Sequence, residues 1–315
     1  MEIVKVEFIV DNVVIGEDTT YPYSFNWVYT SGSHQLIVKT HFSDGSIKLS
    51  PTTNINEFAG YETETSSYMN NLSIPNDATI YYNATPQQTT GATLWTTIDE
   101  FVKREKAALR WSKIKYFRPG IGTTAAMQSK NLKDIATFDG VYSGGWTFDG
   151  SGRKPNGTTG TMATGLTPSL DIASVDDSGM TMVTYGDAAA TGYMMSSGTG
   201  GNFWLINESA SSWFSYYPNL TKITDSTGKI GVKTITRTDS NTRNYRNGVL
   251  VGTANVAHTN MPNLELHEGS RGDGTDYYEG YIGSSAVHTG LTDAEAIAFQ
   301  NSISLLEADL LRKNW

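Results

Sequence analysis

The stretch that decides the fold is RNYRNGVLVGT, residues 243–253. Its central Asn247-Gly248 pair joins two runs of strand-forming residues, 243–246 and 249–253. Asn-Gly is the strongest short signal for a two-residue type I′ hairpin, because both central residues of that turn need positive φ. The sequence on both sides continues as short apolar runs separated by Gly, Ser, Thr, Asp and Asn. This pattern predicts an all-β sandwich around the hairpin.

The rest of the chain from residue 132 onward supports the same interpretation. The candidate strands are residues 141–148, 162–166, 179–185, 193–195, 203–206, 213–217, 229–237, 243–245, 249–253, 264–268 and 278–288. A final helix follows them, because Thr292 and Glu295 have the spacing of a capping box. The sequence therefore predicts a mostly β chain with a C-terminal helix.

Composition restricts the class of function. The chain has 315 residues, of which 38% are hydrophobic and only 17% are charged, so much of its polarity comes from Ser, Thr, Asn and Gly. Such a profile is typical of a β-rich extracellular or virion protein. The net charge is −9, which disfavours nucleic acid as a partner because phosphate binding needs clustered Lys and Arg.

The chain contains no cysteine, which excludes disulfides, thiolate metal sites and a thiol nucleophile. No window of the sequence approaches 18 apolar residues, so we expect no membrane insertion. The first residues, Met1 to Lys5, lack the charged and apolar regions of a signal peptide. A surface-type composition without an export signal favours a protein that is assembled in the host cytoplasm and released in a virion.

Residues 1–52 alternate like strands, with Val4, Val6, Phe8 and Val10 on one face. They resemble bacterial Ig-like modules through blocks that include Val-Glu-Phe at 6–8, Ile-Gly at 15–16, Pro-Tyr-Ser-Phe at 22–25 with Trp27, and Gly32 with His-Gln-Leu at 34–36. The family normally has one or two strands before Val-Glu-Phe. The resemblance therefore implies an incomplete module whose first strand has an open edge, which a neighbouring subunit would cover.

Residues 53–115 are predicted to form a connector between the module and the sandwich. A short helix is expected over residues 62–72, and a longer one over residues 93–115 has a single apolar stripe that includes Leu94, Ile98 and Phe101. A single helix cannot bury its own stripe, so this connector also predicts a partner surface.

A second resemblance covers residue 62 to the C-terminus. Several blocks recur in the same order in a group of phage structural proteins: Leu-Trp at 94–95, Trp-Ser-Lys-Ile-Lys at 111–115, Tyr-Phe-Arg-Pro at 116–119, Lys-Asn-Leu-Lys-Asp at 130–134, Gly-Gly-Trp-Thr at 144–147 and Pro-Asn-Gly-Thr-Thr-Gly at 155–160. In that group a helical segment leads into a lectin-like domain. Residues 116–315 also resemble the concanavalin A-like or laminin-G-like sandwich, through residues 245–253 and 281–287.

These resemblances imply a structural virion protein of a phage, in a head fibre, a capsid decoration or a tail fibre. Its lectin-like domain would adhere to glycans or to the host surface. The implied partners are a homo-oligomer, with a trimer favoured, or another virion protein bound through the N-terminal half. Two alternatives stay open: a polysaccharide-degrading glycoside hydrolase on the same sandwich, and a purely architectural subunit that binds another virion protein.

Catalytic motifs are absent from the sequence. The glucanase-type pattern Glu-x-Asp-x-x-Glu, which would place two carboxylates on one strand, does not occur, and neither does Gly-x-Ser-x-Gly. None of the five histidines has zinc-ligand spacing. We therefore predict no enzyme, no catalytic residue, no cofactor and no metal, although calcium near Asp273 and Asp276 stays open because loop oxygens are its usual ligands.

Aromatic residues are the best sequence signal for binding, because sugars pack their C–H faces on aromatic rings beside polar groups. Six candidates lie in or beside polar loops: Trp204, Trp213, Tyr216, Tyr217, Tyr277 and Tyr278. The competing interpretation is ordinary packing, since Phe-Trp-Leu at 203–205 alternates and one face of that strand should belong to the core.

Overall fold

The structure is a computed structural model that describes residues 2–25, 34–55, 61–73, 91–185, 190–198, 204–209, 212–217, 221–255, 260–310 and 312. The chain divides into two compact units, Met1–Tyr61 and Glu62–Trp315. The expectation of a mostly β chain with an antiparallel sandwich and a C-terminal helix is confirmed.

The first unit is one antiparallel sheet. Its strands are β1 (Ile3–Val10), β2 (Val13–Asp18), β3 (His34–Phe42), β4 (Ile47–Leu49) and β5 (Thr53–Ile55). They lie in the order β2-β1-β3-β4, and β5 also pairs with β3. Val6 and Val10 are buried on one face, where Phe25 stacks on Phe8.

The expectation that the first strand would have an open edge is wrong. Strand β1 pairs with β2 on one side and with β3 on the other. The reason is the tight turn at Asp11 and Asn12, whose φ angles of 50° and 67° fold β2 back onto the side that the resemblance left empty. Of the strand expected over residues 22–27, Pro22 to Phe25 are not in a strand, and the rest lies outside the described residues.

The second unit begins with helices. They are α1 (Thr63–Asn71), α2 (Gly91–Ala107), α3 (Ala125–Gln128), α4 (Pro168–Asp171) and α5 (Asp293–Asp309), with a 3-10 turn at Trp111–Lys113. The short helix expected over residues 62–72 is confirmed as α1. Helix α2 ends at Ala107 rather than near residue 115, because Leu109 has a left-handed φ of 60° and Arg110 turns back onto Glu105.

Helix α2 does not form a separate connector and needs no partner chain. It packs against α1 and α5 within the second unit. Ile98, Phe101 and Val102 of its apolar stripe are buried, and Phe101 stacks on Phe117 with ring centroids 4.4 Å apart. The side chain of Arg104 donates to Ser302 Oγ of α5 at 3.2 Å. The stripe is therefore covered by the sandwich unit itself.

The sandwich consists of two antiparallel sheets. The seven-stranded sheet has the order β15-β14-β13-β12-β19-β10-β7. Its strands are β7 (Val141–Ser143), β10 (Thr161–Ala163), β12 (Gly192–Ser197), β13 (Trp204–Glu208), β14 (Trp213–Tyr217), β15 (Thr221–Asp225) and β19 (His267–Glu268).

The eight-stranded sheet has the order β18-β17-β16-β11-β20-β9-β8, and β6 also pairs with β20. Its strands are β6 (Ile114–Arg118), β8 (Trp146–Asp149), β9 (Gly152–Pro155), β11 (Ser178–Tyr185), β16 (Gly231–Arg237), β17 (Asn241–Arg246), β18 (Val249–Asn255) and β20 (Tyr281–His288).

The core lies between the two sheets and continues on the outer face of the eight-stranded sheet. Met180 and Met182 of β11 pack in the same apolar cluster as Met195 and Trp204 of the seven-stranded sheet. Helix α5 covers the opposite face of β16 and β17, where Gln300 donates to Thr234 Oγ1 at 2.9 Å. Because both faces are covered, every residue of β11 and β16 is buried.

The Asn247-Gly248 hairpin is confirmed. The two residues join β17 to β18 with φ angles of 51° and 80°. The Asn247 side chain accepts a hydrogen bond from the Val232 amide at 2.9 Å, and the Gly248 amide donates to Gln300 Oε1 at 2.6 Å. The turn therefore connects β17 and β18 to β16 and to α5.

The capping box of the last helix is also confirmed. Thr292 Oγ1 accepts from the Glu295 amide at 3.3 Å, and the Thr292 amide donates to Glu295 Oε2 at 2.9 Å. Within the described ranges, no helix is long and apolar enough to cross a membrane.

Replacing Gly248 tests the turn. Gly248→Val forces a β-branched residue to a φ near 80°, so we expect the free energy of unfolding to fall by about 1–3 kcal/mol in urea titrations. Thr253→Val is the matched control, because it places the same side chain at an exposed site in β18 with ordinary strand geometry. Equal stability of the two variants would contradict the strain at this turn.

Candidate functional site

Glu268 is one of the fully buried charged residues of the sandwich. It comes from β19 of the seven-stranded sheet and meets side chains of the eight-stranded sheet. Arg153 of β9 donates to Glu268 Oε2 through Nε at 2.9 Å and through Nη2 at 2.5 Å. Arg118 of β6 lies 3.3 Å from Oε1, which also accepts from Ser285 at 2.7 Å and from the Tyr116 hydroxyl. All three charged side chains are fully buried.

Burial by itself would raise the pKa of Glu268, but the positive charges of Arg153 and Arg118 hold that pKa below its ordinary value. Burial also raises the pKa of the Tyr116 hydroxyl, which therefore stays protonated and donates to the carboxylate. Glu268 is thus an ionised, fully bonded group that joins the two sheets. It has no access to a substrate.

A second buried acid, Glu208 of β13, also joins the sheets. Its Oε1 lies 2.7 Å from Lys233 Nζ of β16 and 2.8 Å from the Thr184 hydroxyl, and its Oε2 accepts from the Tyr278 hydroxyl at 3.0 Å. Burial lowers the pKa of Lys233, while the neighbouring Glu208 charge raises it in part. The carboxylate is again neutralised and bonded inside the protein.

A third buried acid, Glu307, fastens helix α5 to the sandwich. Its side chain lies 2.9 Å from Arg312 Nε and accepts from the Ser284 amide at 2.9 Å. Arg312 then donates to the carbonyl oxygens of Pro119 and Gly120 at 2.7 and 2.9 Å. Glu268, Glu208 and Glu307 therefore serve the architecture, and none is available as a general acid or base.

The four aromatic candidates whose side chains the structure describes do not form one exposed binding surface. Trp204, Trp213 and Tyr278 are buried, so their rings cannot receive a ligand. Tyr277 is half-buried, and its hydroxyl donates to the Gly274 carbonyl at 2.5 Å. Tyr216 and Tyr217 belong to β14, and their side chains lie outside the described part of the chain.

The acidic loop at which calcium was left open carries its own cation. Arg271 lies 3.5 Å from an oxygen of Asp273 and 3.3 Å from an oxygen of Asp276. The Thr275 hydroxyl also donates to Asp273 at 2.5 Å. Among the described residues, no group of three His, Asp or Glu side chains is placed to hold a metal ion.

A surface groove does occur beside the Asn247-Gly248 turn, and we call it the hairpin groove. It has a volume of about 520 Å³ and lies where the outer strands of the two sheets, β15 and β18, pack together. Its lining residues are Thr224, Asp225, Ser226, Thr227, Arg246, Asn247, Val249, Leu250 and Val251.

A fixed ion pair forms the polar side of the hairpin groove. Arg246 Nε donates to Asp225 Oδ2 at 2.5 Å, and Nη2 donates to Thr227 Oγ1 at 2.9 Å. The same carboxylate accepts from the buried Trp213 indole at 2.9 Å. Burial would raise the pKa of Asp225, but hydrogen bonds from Thr227 and Arg246 keep it below its usual value. The guanidinium is therefore held in place before any ligand arrives.

The other side of the hairpin groove is apolar. Val249 is 65% exposed and Leu250 is 46% exposed, next to the exposed Thr224 and Ser226. Arg246 Nη1 has no hydrogen-bond partner among the described residues. The lining of the groove thus combines exposed aliphatic residues, hydroxyl groups and a guanidinium, which is the mixture that small polar ligands need.

Sequence reasoning found the turn but missed this groove. The Asn-Gly signal locates the end of β17 and the start of β18, whereas the groove also needs β15, which belongs to the other sheet. A partial signal exists in the exposed aliphatic residues that follow Gly248, because large apolar side chains beside a turn are unusual on a monomer surface.

Residues 1–38 match the family described as a bacterial Ig domain. No curated protein matches the chain in sequence. Trypanosoma rangeli sialidase is 12% identical with a TM-score of 0.47, and the match covers 90% of this chain and 44% of the sialidase.

The binding domain of botulinum neurotoxin DC in complex with SialylT is 13% identical with a TM-score of 0.45, and the match covers 61% of this chain and 52% of that domain. The alignments thus span about half the length of both solved structures. At these identities and TM-scores, the likeness assigns no site residue and no activity to this chain.

Removing the Glu268 charge tests its role as the link between the sheets. Glu268→Gln leaves two buried guanidinium groups without their counter-charge, so we expect the free energy of unfolding to fall by about 3–5 kcal/mol in urea titrations. Glu279→Gln is the control, because Glu279 is exposed and its loss should change stability by less than about 0.5 kcal/mol. A loss below about 1 kcal/mol for Glu268→Gln would contradict this role.

Proposed function

We propose that this chain is a non-catalytic structural protein of a phage particle whose β-sandwich binds carbohydrate. The observation that supports the binding part of the proposal is the hairpin groove. The groove is lined by a preordered guanidinium, Arg246, by the exposed aliphatic residues Val249 and Leu250, and by the hydroxyl residues Thr224, Ser226 and Thr227. Sugars present both C–H faces and hydroxyl groups, so both sides of the groove have a matching surface on the ligand.

The charge of the hairpin groove favours a ligand bound through hydrogen bonds. Arg246 and Asp225 neutralise each other, and the Asp225 oxygens are occupied by Arg246, Trp213 and Thr227. The available polar groups are therefore Arg246 Nη1 and the hydroxyls of Thr224 and Ser226. These groups can donate to or accept from sugar hydroxyls without leaving a buried charge unpaired.

The same groove argues against the glycoside hydrolase alternative. Retaining hydrolysis needs two carboxyl groups roughly 5 Å apart, one of them as nucleophile and the other as acid. The hairpin groove contains one carboxylate, Asp225, and that group is already bonded. The buried acids Glu208 and Glu268 are also bound to cations.

The phage part of the proposal rests on the resemblance of residues 94–160 to phage structural proteins. On that basis we propose a head fibre, a capsid decoration or a tail fibre, assembled in the host cytoplasm and carried on the virion. A purely architectural subunit would share these blocks but would use the sandwich to hold another virion protein. Glycan binding by the purified chain separates the two.

Purified protein is expected to release no reducing sugar from bacterial or plant polysaccharides, because no described groove presents two free carboxyl groups. The assay is reducing-end release over long incubation, with a known polysaccharide hydrolase as the positive control. Sustained turnover that is lost on substitution of one Asp or Glu would make the enzyme alternative correct.

Glycan binding is expected to depend on the apolar wall of the hairpin groove. Leu250→Glu replaces an exposed aliphatic residue of the groove lining with a carboxylate, so affinity for glycans that bind on an array should fall at least tenfold, or about 1.4 kcal/mol. Val141→Glu is the matched control, because Val141 is an exposed aliphatic residue on β7 at the far edge of the other sheet. Equal affinities of the two variants would exclude the hairpin groove as the site.

The assembly proposal follows from the phage resemblance alone, because β1 and α2 are both paired within the chain. We propose a homo-oligomer, with a trimer favoured, or a subunit that docks on another virion protein through its N-terminal half. Light scattering on the full chain should then give about three times the chain mass of 34.4 kDa. A monomer that binds no virion component would contradict both forms of the proposal.

A further inference from the structure

A second groove lies on the sandwich unit, away from the hairpin. We call it the amide cleft. It has a volume of about 610 Å³. The residues that matter for its chemistry are Ser169, Ile172, Ser174, Asn260, Met261 and Asn263.

Two apolar residues of the amide cleft are buried. Ile172 is 4% exposed and Met261 is 8% exposed, and both belong to the apolar cluster between the sheets. The two walls are joined to each other, because the Ser169 amide donates to the Pro262 carbonyl at 2.9 Å. The cleft is therefore a formed feature of the fold, with few side chains that need ordering when a ligand binds.

The rim of the amide cleft carries two carboxamides that the fold does not use. Asn260 and Asn263 are exposed and have no hydrogen-bond partner among the described residues. Other asparagines of the sandwich are engaged: Asn244 bonds to Ser215, and Asn247 bonds to Val232. Each free carboxamide offers one acceptor oxygen and two N–H donors beside the buried apolar residues.

The charge pattern selects the class of ligand. Among the residues that the structure describes, the lining of the amide cleft contains no Asp, Glu, Lys, Arg or His. The acidic residues near the cleft in sequence are engaged elsewhere. Asp171 accepts from the Thr167 amide at 2.7 Å, Asp176 lies 2.6 Å from Arg237, and Asp177 accepts from the Gly290 amide at 2.8 Å. A cleft without charge gives no advantage to an ion, whereas amides beside apolar residues suit an uncharged ligand with hydroxyl or amide groups.

The amide cleft and the hairpin groove lie at opposite ends of the sandwich. Asp176, two residues after Ser174, pairs with Arg237 at the last position of β16. At the other end of β16, Lys233 is the residue that lies opposite Arg246 in the register of β16 and β17. The six residues of β17 run between these ends, which corresponds to roughly 20 Å at strand spacing.

We propose that the amide cleft is a second carbohydrate site, which takes an uncharged sugar residue. With a site at each end, one sandwich can hold a polysaccharide at two points, and the second contact becomes intramolecular. The cleft is a site in its own right and does not require the hairpin groove to bind.

The test follows the side-chain amide signals of Asn260 and Asn263 in NMR spectra of the labelled full chain. The probes are the methyl glycosides of glucose, galactose, mannose and N-acetylglucosamine, with glucuronate as the charged comparison and glycerol as the non-specific one. At least one uncharged glycoside should shift both signals in a saturable way, more strongly than glucuronate or glycerol. No saturable shift with any glycoside, or an equal response to glycerol, would overturn the proposal.

Variants separate the two sites. The double variant Asn260→Leu, Asn263→Leu keeps side-chain size and removes the hydrogen bonds, so affinity for the responding glycoside should fall at least tenfold while the melting temperature is retained. Ser174→Trp, which fills the amide cleft, should also lower this affinity at least tenfold while the melting temperature is retained. Leu250→Glu should leave the Asn260 and Asn263 response unchanged. Affinity in these variants is measured by titration calorimetry, because the double variant lacks both amide signals. If the affinity for the responding glycoside is unchanged in both cleft variants, this site is wrong, whereas loss of array binding in Leu250→Glu reports on the hairpin groove only.

Discussion

The ion pairs between Glu268 and the guanidinium groups of Arg118 and Arg153 are the interaction on which the sandwich depends. The carboxylate comes from one sheet and the cations come from the other, and none of the three reaches solvent. Burying charge is unfavourable unless every partner is in place, so these contacts contribute more to selecting one packing of the sheets than to net stability. A small shift of either sheet would leave a charge unpaired. The alternative packings of the sheets therefore have a higher free energy.

Two further buried pairs of an acid and a cation join layers of the second unit. Glu208 and Lys233 join the sheets a second time, and Glu307 and Arg312 fasten helix α5 to the outer face of the eight-stranded sheet. Acidic residues that could perform chemistry in a hydrolase are used here to hold layers together.

Both surface grooves lie where the sheets end. The hairpin groove lies where β15 and β18, the outer strands of the two sheets, meet. The amide cleft lies near the opposite end of β16 and β17, under residues that lead into β11 and β19. Because the interior is filled by methionine and aromatic side chains, ligand space is available at the rims.

The sequence by itself determined the features that are local. Asn247-Gly248 specifies its turn because few other residues accept two positive φ angles, and Thr292 with Glu295 specifies the start of α5 because capping needs only neighbours in sequence. Tertiary structure alone decided which partner each element meets. Alternation shows that Trp204 and its neighbours lie on opposite faces of a strand, but which face is buried depends on the other sheet. The pairing of β1 with β2 and β3, the cover on α2 and the meeting of β15 with β18 arise from contacts distant in sequence, which no local pattern encodes.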